Sequence, residues 1–181
     1  MNAILGGWEV DVIQKITSGF PVFPVDSNNQ SGVTFNFNGS GVNRPNQISD
    51  PLKAGPVAAN PNPDCQTTVS QGGIAPDRVG VVGAWFNRCA YAPADPGMLG
   101  NANRSPFYGP GFVNTDFSAI KHFALPYREG LGLDFRAEFF NIFNHTQFYL
   151  PNADINSNST GAINQTVNNP RLVQFALKLT F

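Results

Sequence analysis

Pairs of carboxylates are the residues in this sequence whose spacing comes nearest to catalytic chemistry. Asp134 and Glu138 share one face of an alternating segment. Four residues along a strand span about 13 Å, whereas the two carboxylates of a glycosidase lie roughly 5–9.5 Å apart. Glu9 and Asp11 are close enough, but no neighbouring residue indicates a sugar site. The sequence therefore predicts no enzymatic activity.

Other reactive or ligand-binding patterns are also missing from the sequence. His122 and His145 stand in neither a metal-ligand pattern nor a triad pattern. There is no phosphate-binding loop, and the stretch GPGFVN is a turn rather than a dinucleotide fingerprint. We therefore predict no catalytic, cofactor-binding or metal-ligating residue. A net charge of −1 without a Lys or Arg cluster also predicts no nucleic-acid partner.

The two cysteines are the remaining candidates for covalent chemistry. Cys65 and Cys89 lie in a region rich in Pro, Asn and Gly. A disulfide between them closes a loop of about 25 residues, which stabilises the fold by roughly 3.5 kcal/mol on chain-entropy grounds. The bridge requires an oxidising compartment, and two free thiols are the alternative in a reduced cytosol. We predict the disulfide, because an irregular loop has little else to hold it.

Alternating segments supply the elements that position these residues. In LGLDFRAEFFNIFNH, apolar residues recur at every second position, and Asp134, Arg136 and Glu138 occupy the opposite face. Patterns of this kind predict strands near residues 7–18, 115–125, 131–143 and 171–181. Lys121 falls on the apolar face of the second strand, where it either snorkels or marks a β-bulge.

The pattern of strands and connections is typical of a transmembrane β-barrel. Each strand offers the roughly 9–11 residues that cross a membrane at a tilt. Long connections at residues 20–113 and 145–170 alternate with the short turn PYREG, as outer loops and periplasmic turns do. Within the first connection, only GVTFNFN suggests a short hairpin arm. We predict an all-β fold, a partial, open sheet of about four long antiparallel strands with long extracellular loops.

The two faces of these strands can be assigned in two ways. In a barrel the apolar face meets lipid, and the charge ladder of Asp134, Arg136 and Glu138 faces the lumen. In a soluble or secreted all-β module, which binds a carbohydrate or a protein partner, the apolar face forms the core and the charged face is solvated. Asn-x-Ser/Thr matches, of which Asn38, Asn103 and Asn144 are examples, fit a secreted glycoprotein, although such matches are expected by chance in so Asn-rich a chain.

The end of the chain resembles a known signal. QFALKLTF is similar to the stretch with which outer-membrane barrels end, which the assembly machinery recognises. The polar, small, apolar and aromatic places are filled by Gln174, Ala176, Leu179 and Phe181. Ala176 stands where Gly is commoner. Stretches that further resemble the C-terminal part of Oar-like TonB-dependent receptors are GGWEVDVIQKITSGFPVFPV, NRPNQISDP, GNANRSPFYGPGFVNTDFSAIKHF, LDFRAEFFNIFNHTQF and NNPRLVQFALKLTF.

This resemblance implies a barrel of about 22 strands in the outer membrane of a Gram-negative type of cell. Such a receptor encloses a plug and imports a scarce nutrient. The implied partners are outer-membrane lipid, the barrel-assembly machinery, the remaining strands and plug, and TonB, which acts through N-terminal parts.

The chain departs from that family in having no plug, no TonB box and about four strands, too few to close a barrel. We therefore expect residues 1–181 to be the C-terminal part of a receptor barrel, or one of several chains that assemble a barrel together. In the first case residues 1–19 form a strand, 20–113 an outer loop and 114–181 the last three strands.

Overall fold

The chain folds as two units. The computed structural model describes residues 5–28, 36–37, 40–41, 43–125 and 131–181. Unit 1 consists of residues 1–18, 111–148 and 166–181, and unit 2 consists of residues 19–110 and 149–165. The predicted turn PYREG, residues 126–130, and Asn38 lie outside the described residues.

Unit 1 contains the long strands that the alternating segments predict. They are β1 (Trp8–Thr17), β2 (Phe112–Ala124), β3 (Gly132–Phe140) and β4 (Leu172–Thr180). All neighbours pair antiparallel, in the order β1-β2-β3-β4. The predicted open, antiparallel sheet is therefore confirmed, and so are the pairings of the second strand with the third and of the third with the fourth.

The register of the sheet separates two faces. Val12 lies opposite Phe117, and Phe117 lies opposite Phe139, so that apolar side chains align across the strands. The apolar face comprises Trp8, Val10, Val12, Ile16, Val113, Phe117, Ala119, Lys121, Phe123, Leu133, Phe135, Ala137, Phe139, Val173, Phe175, Leu177 and Leu179, together with the uncharged polar residues Gln14 and Thr115. The polar residues of the charged face are Glu9, Asp11, Lys15, Thr17, Asn114, Asp116, Ser118, His122, Asp134, Arg136, Glu138, Gln174, Lys178 and Thr180. The same face also carries Ile13, Phe112, Ile120, Ala124, Gly132, Phe140, Leu172 and Ala176.

The apolar face is open to its surroundings rather than buried in a core. Val10 is 57% exposed and Leu177 is 70% exposed. Aromatic rings contact one another along the face: the centroids of Phe135 and Phe175 lie 6.0 Å apart, in a stacked arrangement. Soluble monomers rarely expose contiguous apolar patches of more than a few hundred Å². A two-layer sandwich with this face inside is therefore not the architecture of unit 1.

Lys121 is the charged exception on the apolar face. The pairing continues through it without interruption, from Trp8 on one side to Phe135 on the other, so the register excludes the bulge. The side chain is buried, and its Nζ donates a hydrogen bond to the carbonyl of Gly6. Nζ also lies 5.3 Å from the ring centroid of Trp8 and 5.4 Å from that of Phe123. The ammonium group thus reaches the end of the strand, as in the snorkelling alternative.

The third strand ends at Phe140 rather than at residue 143, because the backbone turns there. Asn141 and Asn144 have φ values of 53° and 52°, in the left-handed region that Asn tolerates better than most residues. Asn141 also fixes the turn, since its Oδ1 accepts from the N–H of His145 at 2.9 Å and its Nδ2 donates to the His145 carbonyl at 3.1 Å. The alternation of apolar and polar residues alone does not predict that β3 ends at Phe140.

Unit 2 is irregular, but it has a core of its own. Two-residue strands pair as Pro21–Val22 with Phe107–Tyr108, Asn36–Phe37 with Ser40–Gly41, and Asn46–Gln47 with Tyr91–Ala92. Short 3₁₀ helices occupy Pro63–Gln66, Val69–Gln71 and Arg88–Ala90. One buried apolar cluster consists of Val22, Phe86, Ala90, Tyr91, Ala102 and Phe107, and a second of Val57, Cys65, Ala75 and Cys89. The sequence predicts a long loop here but not these clusters.

Among the described residues, none belongs to a helix long and apolar enough to cross a membrane.

Candidate functional site

The charge ladder on β3 is arranged as ion pairs. The Arg136 guanidinium donates from Nη2 to Oε1 of Glu138 at 3.0 Å. Asp134 pairs instead across the sheet, with its Oδ1 lying 2.7 Å from Nδ1 of His122. His122 is the residue opposite Asp134 in the register of β2 and β3. The three ladder residues predicted from the sequence are therefore on one face, as expected, but only two of them pair with each other.

The charged face continues from β3 to β1. His122 Nε2 lies 3.4 Å from Oε2 of Glu9, so the imidazole stands between two carboxylates. Ser118 Oγ donates to Oδ2 of Asp11 at 3.4 Å. The carboxylate pair of β1 thus belongs to a polar network that spans three strands. Alternation placed Glu9 and Asp11 on a polar face, but their partners follow only from the register.

Acidic groups outnumber basic groups on this face. Five carboxylates lie on this face, and four basic side chains accompany them: the carboxylates are Glu9, Asp11, Asp116, Asp134 and Glu138, and the basic side chains are Lys15, His122, Arg136 and Lys178. Lys178 lies opposite Asp134 in the register of β3 and β4. The mixture of signs lets neighbouring charges compensate one another beside water. A surface of this kind suits a hydrated lumen and would be costly against hydrocarbon.

A shallow depression of about 290 Å³ lies in the charged face. Asp11, Asp116 and Ser118 line one part of it, and Arg136 and Glu138 line another. These groups include donors and acceptors of both charges, so a polar solute can hydrogen-bond to the face. Asp116 is already engaged, since its Oδ1 accepts from the backbone N–H of Asn141 at 2.8 Å. The arrangement indicates a polar lining rather than a reaction centre.

The residues of the predicted barrel signal lie on β4 and immediately after it. Gln174 and Ala176 are on the charged face, opposite Glu138 and Arg136. Leu179 is on the apolar face, opposite Leu133. Phe181 follows the last residue of the strand and is 91% exposed. The aromatic ring therefore has little packing within the chain, and this leaves it accessible to a partner.

The two cysteines form a disulfide in unit 2. Their sulfurs are 2.02 Å apart, and their Cα atoms are 5.5 Å apart, within the 4.4–6.8 Å range usual for bridges. Both residues are buried and pack with Val57 and Ala75. The Asn60 side chain braces the bridge by donating to the Cys89 carbonyl at 2.7 Å. The bridge is thus where the sequence predicts it, but the loop around it also has apolar packing to hold it.

Replacing Cys65 and Cys89 together by Ala should lower the free energy of unfolding of unit 2 by about 3.5 kcal/mol, because the open loop gains entropy in the unfolded chain. Hydrogen exchange of the backbone amides between residues 46 and 92 in the refolded chain measures this loss. Reduction of the unsubstituted protein is the matched control, and it should give the same increase in exchange. Equal protection in the oxidised protein and the double variant would show that packing alone holds the loop.

Burial also affects the phenol of Tyr91. Removal from water, reinforced by the charge of Asp50, raises the pKa of Tyr91 above its ordinary value. Its hydroxyl has no hydrogen-bond partner in the part of the chain that the structure describes. The ring packs edge-on against Phe86, with centroids 6.0 Å apart. Tyr91 therefore acts as an apolar core residue that stays neutral at physiological pH.

Comparison with known proteins indicates a membrane β-barrel, in agreement with the open sheet of long antiparallel strands. A family model described as outer membrane beta barrel domain matches residues 1–174. No curated protein and no solved structure matches the chain. The matched range contains β1, β2, β3 and the beginning of β4. These strands are 9 to 13 residues long, which is enough to span a bilayer.

Proposed function

This chain belongs to the family of outer membrane beta barrel domains, and we propose that it is the C-terminal barrel segment of an Oar-like TonB-dependent receptor. In this proposal the receptor imports a scarce nutrient across the outer membrane of a Gram-negative type of cell. The segment performs no catalysis and needs no cofactor. Its partners are membrane lipid, the barrel-assembly machinery, the other strands and plug of the receptor, and TonB through N-terminal parts.

The observation that carries the proposal is how the receptor-like stretches fall on the sheet. GGWEVDVIQKITSGFPVFPV contains all of β1, and GNANRSPFYGPGFVNTDFSAIKHF contains almost all of β2. LDFRAEFFNIFNHTQF contains nearly all of β3, and NNPRLVQFALKLTF contains β4. Four of the five stretches therefore follow membrane-length strands and their adjoining segments, in the order of the end of a barrel, and NRPNQISDP, residues 43–51, lies in unit 2. A chance resemblance in loops would not follow the strands.

The two faces support a membrane barrel. We place the apolar face against lipid and the charged face against the lumen, since an Arg at mid-bilayer costs roughly 2–4 kcal/mol. Within the described residues, β1 and β4 each pair on one side only. Their other edges suit pairing with further strands, because an open edge in hydrocarbon leaves backbone polar groups unsatisfied. The smallest common barrels have about eight strands, so further strands are needed.

The connections agree with a periplasmic C-terminus. The segment after Thr17 and the segment after Phe140 leave the sheet at the same end, since β1 and β3 run in the same direction. These are the long connections that supply unit 2. Long connections belong outside the cell in bacterial barrels, and a disulfide is stable in that compartment. Unit 2 is then the part that first meets the nutrient.

The alternative of a soluble or secreted binding module requires the apolar face to form a core. Val10 and Phe175 lie on different strands of that face, and both are more than half exposed. Lipid gives a physical reason for such exposure, whereas water does not. We therefore favour the barrel segment.

An antibody against unit 2 tests the proposal in the cells that make the protein. We expect it to detect a band in the outer-membrane fraction that is much larger than 19.5 kDa, the mass of this chain. The periplasmic domain of TonB, immobilised on beads, should retain that band from a detergent extract. A porin from the same extract is the control, and it should not be retained. A large outer-membrane band that the TonB domain does not retain would contradict TonB dependence. A soluble 19.5 kDa band would contradict the proposal that the chain is a segment of a larger outer-membrane barrel.

A further inference from the structure

A buried carboxylate in unit 2 lacks a full set of hydrogen-bond partners among the residues that the structure describes. Asp26 is 0% exposed. Its Oδ1 accepts from the backbone N–H of Asn28 at 2.9 Å and from Nδ2 of Asn156 at 2.7 Å. Its Oδ2 has no hydrogen-bond partner among the described residues. A desolvated carboxylate oxygen in this state is costly unless a donor or a cation reaches it.

Further oxygen atoms converge beside this carboxylate. Nδ2 of Asn156 lies 2.7 Å from Asp26 Oδ1, 3.3 Å from Ser27 Oγ and 3.4 Å from Asp154 Oδ1. One amide nitrogen carries only two hydrogens, so it cannot satisfy three acceptors equally. Oδ1 of Asn156 accepts from Nδ2 of Asn28 at 3.0 Å. Rotation of the amide by half a turn would break that bond, replace the nitrogen by an oxygen and add another ligand atom. The nitrogen thus occupies a place that suits a cation among oxygen atoms.

The backbone holds these groups in position. Asp26 and Asn43 exchange hydrogen bonds of 2.8 and 3.0 Å between their backbones. Val25 donates to the carbonyl of Ala153 at 3.0 Å and accepts from the N–H of Ile155 at 2.9 Å. The segments that carry the two carboxylates are therefore fixed side by side. Such preorganisation reduces the entropy that a ligand must offset on binding.

We propose that Asp26 and Asp154, with Ser27 and Asn156, form a calcium-binding site in unit 2. Carboxylate, amide and hydroxyl oxygens are the ligands that Ca²⁺ prefers, in an adaptable geometry that water molecules complete. Two carboxylates balance the charge of one divalent ion. The absence of sulfur and imidazole ligands from the cluster disfavours zinc and copper. Magnesium is disfavoured because it demands a near-ideal octahedron and dehydrates reluctantly.

The local sequence has a related spacing. Asp154, Asn156 and Asn158 alternate as in the first half of an EF-hand loop, but Ser159 and Gln165 stand where that loop has Gly and Glu. The site instead takes its second carboxylate from the distant segment of Asp26. In the described ranges, no group of three or more His, Cys, Asp or Glu side chains is placed to hold a metal. The site accordingly depends on neutral oxygen ligands as well as its two carboxylates. The proposal of a calcium site does not depend on the proposed TonB-linked import.

Calcium binding to the full chain, refolded in detergent with its disulfide formed, tests the inference. Equilibrium dialysis with radioactive Ca²⁺ should give one bound ion per chain, with a dissociation constant of about 10⁻⁴–10⁻³ M, as in extracellular modules. Asp26→Asn should weaken binding by roughly 10–100-fold. Asp95→Asn is the matched control, since Asp95 is exposed and lies in unit 2 outside the cluster; it should bind like the unsubstituted protein.

Asp154→Asn provides a second variant, in case loss of the buried Asp26 carboxylate disturbs folding, and it should weaken binding to a similar degree. Protection of unit 2 from protease should increase with Ca²⁺ in the unsubstituted protein and in Asp95→Asn only. The inference is overturned if the unsubstituted protein binds no Ca²⁺ at 10 mM, roughly ten times the weakest affinity expected. It is also overturned if Asp154→Asn binds as tightly as the control, or if Mg²⁺ competes on equal terms.

Discussion

Deletion of Phe181 from the full-length protein is expected to remove most of the assembled barrel from the outer membrane. Phe181 fills the aromatic place of the stretch that resembles the barrel signal, after Gln174, Ala176 and Leu179. The ring is 91% exposed, so its removal costs little packing energy within the chain. A large loss must therefore arise from failed recognition during assembly. An immunoblot of the outer-membrane fraction measures it.

Phe20→Ala is the matched control for this deletion. Phe20 is 71% exposed and lies in unit 2, far in sequence from the signal. The substitution removes an exposed aromatic ring as well, and it should leave the amount of barrel unchanged. Equal outer-membrane levels of the Phe181 deletion and the Phe20 variant would contradict a signal at the C-terminus.

Most of the sheet could be predicted, because one physical rule governs all its strands. A strand between lipid and water must alternate apolar and polar side chains, and segments such as Trp8–Thr17 display that period directly. The ends of strands are set by other forces. β3 stops where Asn141 enters the left-handed region and bonds to His145. The pattern of apolar residues does not predict that turn.

The core of unit 2 could not be predicted, because its members come from distant segments without any period. Val22 and Phe107 are brought together by a two-residue strand pair. Much of the backbone around this core is satisfied by side-chain amides: Asn87 Nδ2 donates to the carbonyls of Lys53 and Gly55, each at 2.9 Å. The abundance of Asn in the sequence suggests turns. Its further role in pairing with buried backbone depends on the tertiary structure.

The charged face was predictable as a face but not as a network. Alternation along β3 places Asp134, Arg136 and Glu138 together, whatever the neighbouring strand does. The pairing of Asp134 with His122 depends on which residue of β2 lies opposite. That register is set by the connection between the strands and by the apolar face as a whole. A shift of one residue would turn His122 toward the apolar side.

Adjacent residues of β3 should respond very differently to substitution if one face meets lipid and the other meets the lumen. Phe135→Arg places a charge on the apolar face near the middle of β3, where it should destabilise the full-length barrel in lipid vesicles by roughly 2–4 kcal/mol. Loss of the stacked contact with Phe175 should add about 0.5–1.5 kcal/mol. Urea unfolding of the barrel in vesicles measures the change.

Arg136→Ala is the comparison on the charged face. It removes the 3.0 Å ion pair with Glu138, in which the guanidinium is about half exposed. Pairs in such a hydrated setting are worth about 0–1 kcal/mol, so this substitution should be the milder of the two. If Arg136→Ala instead stabilises the barrel, as removal of a charge from hydrocarbon would, and Phe135→Arg has little effect, the assignment of the faces is reversed. If the two costs are equal, neither face lies against hydrocarbon, because only lipid makes a charge so much more costly on one side of a strand than on the other.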